Sequence, residues 1–149
     1  MPTQTLSYKK TGYFSKLVCD YLSEDSALQS FYARFPSLEN FKAQFQEKQK
    51  SFSLEKRELL YRQLKSQYGL TSISQRTSEN IEALKAPDTF TITTGHQLNL
   101  FTGPLFFLYK IFSVINLCEV LSEKHPDQHF VPIYWMATED HDFEEINFF

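Results

Sequence analysis

The feature that most restricts how this chain can fold is a change of pattern at Thr89. Upstream, apolar residues recur at helical spacing. From Thr89 the run Thr89-Phe90-Thr91-Ile92-Thr93-Thr94 is β-branched and aromatic, the composition of a short strand that Gly95 is expected to end. A loop leads from Gln97 to Gly103, and Pro104 suits the first position of a helix. The helix predicted from there to Lys124 is apolar nearly all round, as for a helix held between a sheet and another layer. Pro126 and Asp127 turn the chain. His129-Phe130-Val131-Pro132-Ile133-Tyr134-Trp135-Met136 then reads as a second strand, its continuous apolar run typical of a strand covered on both faces. Pro132 belongs in it only at an edge or a bulge.

A strand, a helix of about twenty residues and a second strand form a crossover that is almost always parallel and right-handed. Parallel strands place both carboxyl ends on one edge, where open α/β sheets bind ligands. Two polar clusters are therefore predicted to face one cleft. Thr93-Thr94-Gly95-His96-Gln97 closes the first strand, and Thr138-Glu139-Asp140-His141-Asp142 follows the second.

The chemistry of that cleft is readable in outline. Gly95 lets backbone approach a ligand closely. Thr102, Gly103 and the next helical turn offer N–H groups and a positive dipole end to a phosphate or carboxylate. His96 can donate to a charged oxygen or a leaving group. His141, between Asp140 and Asp142, has neighbours that favour its protonated form and suit a general acid or base. Glu139 and Glu144 deepen a negative field that attracts an amine or a divalent metal. Plainer readings stand beside these. His96 can be a hydrogen-bonded structural residue, the acidic run a solvated helix start capped by Asp140 or Asp142, and Lys110 a snorkelling helix lysine. No glycine-rich phosphate loop, CxxC or HExxH motif is present.

Residues 1–86 read as successive helices. Phe14, Leu17, Val18, Tyr21 and Leu22 form one stripe, and Leu28, Phe31, Tyr32 and Phe35 repeat the spacing before Pro36 stops the helix. Ser37 is expected to cap a segment with Leu38, Phe41, Phe45 and Phe52 on one side. Ser53 should cap the next, with Glu55 in its first turn, Leu60, Leu64 and Tyr68 inward, and Gly69 as the residue that closes it. A last helix spans residues 74–84 with Ile81 and Leu84 inward, ended by Pro87. The predicted organisation is thus a helical region over 1–86 and the first β-α-β unit of a Rossmann-like parallel sheet over 87–149. The fold class is α/β.

Charge adds an exclusion. Residues 1–88 hold thirteen Lys/Arg against ten Asp/Glu, whereas residues 89–149 hold two against eight. Such a balance gives no basic footprint for nucleic acid. The stretch 104–121 is interrupted by Lys110, Asn116 and Glu119, so it is read as a buried helix rather than a membrane span. Met1-Pro2-Thr3-Gln4-Thr5 carries no secretory signal. Cys19 and Cys118 read as two buried reduced thiols. A cytoplasmic protein without membrane or nucleic-acid partners is expected.

Two long blocks carry a more specific resemblance. The run from Thr93 to Leu105, followed by Tyr109-Lys110, resembles a signature of BshC, the cysteine-adding enzyme family of bacillithiol biosynthesis. Trp135-Met136-Ala137-Thr138-Glu139-Asp140-His141-Asp142-Phe143-Glu144-Glu145-Ile146-Asn147 resembles that family's other hallmark, and Gly12-Tyr13-Phe14-Ser15 its amino end. The resemblance covers the whole chain but only the amino-terminal part of the family. It implies a cytoplasmic ligase joining cysteine to glucosaminyl malate, a Rossmann core, and a coiled coil through which the family dimerises. It implies a cleft similar to that of class I synthetase-like nucleotidyltransferases, with ATP or another nucleotide as an open question.

On that reading His96, Asp140, His141 and Asp142 are the catalytic candidates. Thr94, Gly95, Gln97, Thr102, Gly103, Lys110 and Glu139 are the substrate- or nucleotide-binding candidates, and no metal is assigned. The family pattern continues Ile-Asn-His where this chain has Ile146-Asn147-Phe148, which removes one polar contributor. A two-stranded unit also leaves edges and a helix face uncovered, so the chain is expected to be a fragment, inactive alone. Two alternatives stand: a hydrolase using His96, Asp140, His141 and Asp142 on Zn or Mn, and a non-catalytic helical interaction module.

Overall fold

The computed structural model describes residues 4–97 and 103–140. Two compact units divide between Gln44 and Phe45. That division groups residues by packing, whereas the expected one at 86/87 separates kinds of secondary structure.

The first unit contains α1 (Tyr8–Thr11), α2 (Lys16–Leu22) and a 3-10 helix (Ser26–Phe31). Ser15 caps α2 through its hydroxyl, which accepts from the Val18 amide. The predicted helix through Phe35 is corrected here. The Asp25 carboxylate caps a 3-10 helix that ends in extended Tyr32, so Phe31 and Phe35 do not share a helical face. Tyr32 and Phe35 instead each place a ring 5.3 Å from Tyr21. The stripe on α2 is largely exposed, Leu17 at 64%.

The second unit holds most of α3 (Phe41–Ser51), with α4 (Leu54–Tyr68), α5 (Gln75–Ala83), β1 (Thr89–His96), α6 (Leu105–Lys124) and β2 (His129–Met136). Ser37 does not cap α3; a turn at residues 38–40 intervenes, with the Asn40 side-chain Nδ2 donating to the Phe35 carbonyl at 2.9 Å. Ser53 caps α4 as expected, accepting from the Lys56 amide, and Ser74 caps α5 in the same way through the Thr77 amide. Gly69 is right-handed (φ −59°), so its freedom to adopt positive φ is unused. Tyr68, expected inward, is exposed.

The strands pair in parallel, in register from Thr89↔His129 to His96↔Met136. β1 therefore runs through Gly95, which was expected to end it. Pro132 is accommodated because each strand of a two-stranded sheet has an open edge. Successive side chains alternate between faces. Phe90, Thr94 and His96, with Phe130 and Tyr134 opposite, lie on the face that α6 covers, while Thr91, Thr93 and Trp135 point to the other and are exposed.

The core gathers at the amino ends of the strands. Phe45 of α3 lies 5.1 Å from Phe90 and 5.8 Å from Phe130, ring to ring, and Ile81, Leu84, Cys118, Leu121 and Val131 complete the buried set. Burial pushes the Cys118 thiol up to about 11, so it is protonated at neutral pH. Cys118 and Cys19 are both free thiols, and Cys19, expected buried, is only half-buried.

Arg57 completes this end. Its side chain is buried at 4% exposure, and its guanidinium donates to the carbonyls of Thr89 (2.8 Å), Pro87 (3.2 Å) and Leu84 (3.4 Å). The planar fork spans three acceptors as the compact lysine ammonium cannot. Burial lowers its pKa, and nearby Asp88 opposes that.

The sandwich expected around α6 is also corrected. Cys118 and Leu121 are buried against the strands, but Leu105, Phe106, Tyr109 and Phe112 are exposed. A single sheet face covers one side of a helix only. By length and composition α6 is apolar enough to cross a membrane (mean hydropathy 1.6 in its most apolar window). β2 is likewise covered on both faces only at Phe130 and Val131.

Candidate functional site

At the carboxyl ends of the strands, backbone geometry fixes Gly95 first. A Cβ there would lie 2.9 Å from the Trp135 carbonyl oxygen and 3.0 Å from the Trp135 Cβ. The glycine is thus required by the neighbouring strand, in addition to any ligand. The Gly95 carbonyl accepts from Lys110 Nζ at 3.2 Å, and that ammonium lies 5.6 Å from the Phe106 ring centre. Lys110 is exposed but turned onto the strand end, one helical turn beyond Phe106.

His96 is half-buried on the covered face. Its Nδ1 is 3.0 Å from the Gln97 carbonyl oxygen. A carbonyl only accepts, so Nδ1 carries the proton in this contact, and donation from Nε2 then requires the doubly protonated ring. The imidazole lies 4.9 Å from the Phe106 ring and 6.4 Å from that of Phe107. Its backbone carbonyl accepts twice, from the Tyr134 hydroxyl and from the Ala137 amide, both at 3.2 Å.

That second bond ties the first predicted cluster to Ala137, the residue just before the second. Ala137 opens the turn that carries Thr138 and Glu139, and the Asp140 amide closes it on the Ala137 carbonyl at 3.3 Å. Glu139 and Asp140 are exposed beside the strand ends. Thr94 is half-buried opposite Tyr134. Gly103 has φ 63°, a left-handed conformation for which glycine is the natural residue, and leads into Pro104, the N-cap of α6 rather than its first helical residue. The first amides of α6 have no preceding helical carbonyl to bond. Thr102, His141 and Asp142 lie outside the described residues, as does Phe148. Among the described residues no group of three or more His, Cys, Asp or Glu side chains is placed to hold a metal ion.

The aromatic lining was not foreseen. Phe106, Phe107 and Tyr134 form a chain of rings behind His96, with Phe107 5.1 Å from Tyr134. Aligning the strands at Thr89 and His129 would have put Tyr134 opposite Thr94, but the Phe106-Phe107 pair reads in sequence only as apolar helix.

A parallel β-α-β unit with both strand ends on one edge fits a Rossmann-like α/β domain. The chain belongs to the BshC family: residues 1–149 match its model, described as the N-terminal Rossmann-like domain of the bacillithiol-biosynthesis protein BshC. Among its relatives are proteins of Christiangramia forsetii (59% identical over 149 residues), Flavobacterium johnsoniae (58% over 149) and Cytophaga hutchinsonii (44% over 146). Their names give a provisional assignment as the cysteine ligase BshC. The matches cover 100%, 100% and 98% of this chain, but the chain spans only 28% of the length of each relative.

Proposed function

We propose that this chain supplies the histidine wall of a carbon–nitrogen ligase that joins cysteine to glucosaminyl malate in bacillithiol biosynthesis. The observation that carries the reading is the His96 carbonyl, which receives the Ala137 amide and so sets the histidine beside the acidic turn. Amide formation needs a deprotonated amine and an activated carboxyl group. In this scheme a side chain of the second cluster (Glu139, Asp140, His141 or Asp142) takes the amine proton. His96, doubly protonated, steadies the negative charge that develops on the carboxyl oxygens. Thr94, Gln97 and Lys110 line the substrate side. If a nucleotide is used, Thr102, Gly103 and the first amides of α6 would hold its phosphates, and the group would supply carboxyl activation.

The wider assignment follows the same reading. The full-length protein is cytoplasmic and dimerises through a coiled coil. Full-length protein supplied with cysteine and glucosaminyl malate, with and without ATP, tests the proposal by mass analysis of products. Formation of bacillithiol supports it. Absence of product under every nucleotide condition contradicts it.

A further inference from the structure

Tyr134 belongs to neither polar cluster, yet it touches the histidine through two routes. Its hydroxyl donates to the His96 carbonyl at 3.2 Å, and its ring meets Phe107, which in turn faces the imidazole. The His96 carbonyl has room for two donors, and the other is the Ala137 amide. One residue upstream, Lys110 holds the Gly95 carbonyl. Two consecutive peptides at the end of β1 are thereby fixed by side chains. The last peptide of β1 is held by one backbone bond, from the Ala137 amide, and the Tyr134 hydroxyl adds a second donor against the rotation that would swing the imidazole.

We propose that Tyr134 is a positioning residue for His96, holding the peptide by its hydroxyl and backing the imidazole through Phe107. The inference rests on His96 serving the ligase reaction, and it commits to a distance effect rather than to contact with substrate. Burial raises the phenol above its ordinary pKa, so the hydroxyl keeps the proton it donates. A reacting group displaced by a fraction of an ångström loses rate without losing substrate affinity.

The test uses full-length protein carrying Tyr134→Phe, which deletes the hydroxyl and keeps the ring. Expected are a kcat lower by about tenfold, a KM for both substrates within about twofold of wild type, and an unchanged thermal midpoint. Tyr134→Leu, which also removes the ring, should lower kcat further. In parallel, the His96 Cε1–H signal of histidine-labelled protein, assigned through its loss in His96→Gln, should shift or broaden in Tyr134→Phe. An unchanged kcat, or an unchanged His96 signal, overturns the proposal. If wild-type protein forms no product, the ligase reading fails, and the His96 signal alone decides whether Tyr134 positions the ring.

Discussion

The two ends of the β1–β2 ribbon are built from the same pair of strands and serve opposite purposes. At the amino end, three phenylalanine rings, Leu121 and the guanidinium of Arg57 exclude water, and every backbone carbonyl that Arg57 reaches is bonded. At the carboxyl end Trp135 is 58% exposed, and the ordering comes from one hydrogen bond on the Gly95 carbonyl and two on that of His96. Stability is concentrated where no chemistry is proposed, and reactive groups sit where apolar packing thins. Stabilising one end while leaving the other polar and open is how a small sheet can carry a site without being opened by it.

The comparison can be broken first at Arg57. Arg57→Ala removes the donor from three carbonyls and leaves a cavity, so unfolding free energy should fall by about 3 kcal/mol. Chemical denaturation reads this, and the His96 Cε1–H signal of the folded fraction should stay where it is. A loss under about 1 kcal/mol would mean that water replaces the guanidinium and that the amino end is less closed than it looks.

Gly95→Ala probes the other end. The added methyl must push against the Trp135 backbone, and overpacking of this kind costs about 1–3 kcal/mol. Here, unlike Arg57→Ala, the His96 signal should also move, because the strands separate beside it. A silent substitution would show that the strand ends are free to spread.

The smallest effect belongs to Glu82, on the surface between α4 and α5. Its carboxylate accepts from Lys65, Lys85 and the Tyr61 hydroxyl, which lowers its pKa from 4.5 to about 2. The folded form holds the proton less tightly than the unfolded one. Its contribution is therefore complete above about pH 4.5 and is lost as pH falls toward 2. Solvent exposure and salt make it weak. Thermal melts of wild type and Glu82→Gln at low ionic strength should differ slightly at pH 6 and converge near pH 2. A constant gap would exclude the carboxylate charge as the cause.

Much of this arrangement was legible in the sequence because it depends on local rules. Threonine-rich β1, apolar β2 and the Ser53 cap announce themselves within a few residues. The parallel pairing followed from the length of the crossover, and with it the meeting of His96 and the Ala137 turn. What stayed hidden depends on distance along the chain. No sequence pattern singles out Arg57, because its acceptors at Leu84, Pro87 and Thr89 lie 27 to 32 residues away. The same holds for Tyr134, whose partner is a backbone carbonyl 38 residues upstream. The stop at Phe31 was missed for another reason: apolar spacing does not distinguish an α-helix from a 3-10 helix that a tight Asp25 cap begins.

The claim that most needs a direct measurement is that the open end of the ribbon acts through His96. Full-length protein carrying His96→Ala, assayed for condensation of cysteine with glucosaminyl malate beside its thermal midpoint, supplies it. Turnover is expected to fall about a hundredfold or more with a midpoint close to wild type, since one charge-stabilising donor is lost from a loosely packed position. Near-normal turnover by a folded His96→Ala protein would contradict it.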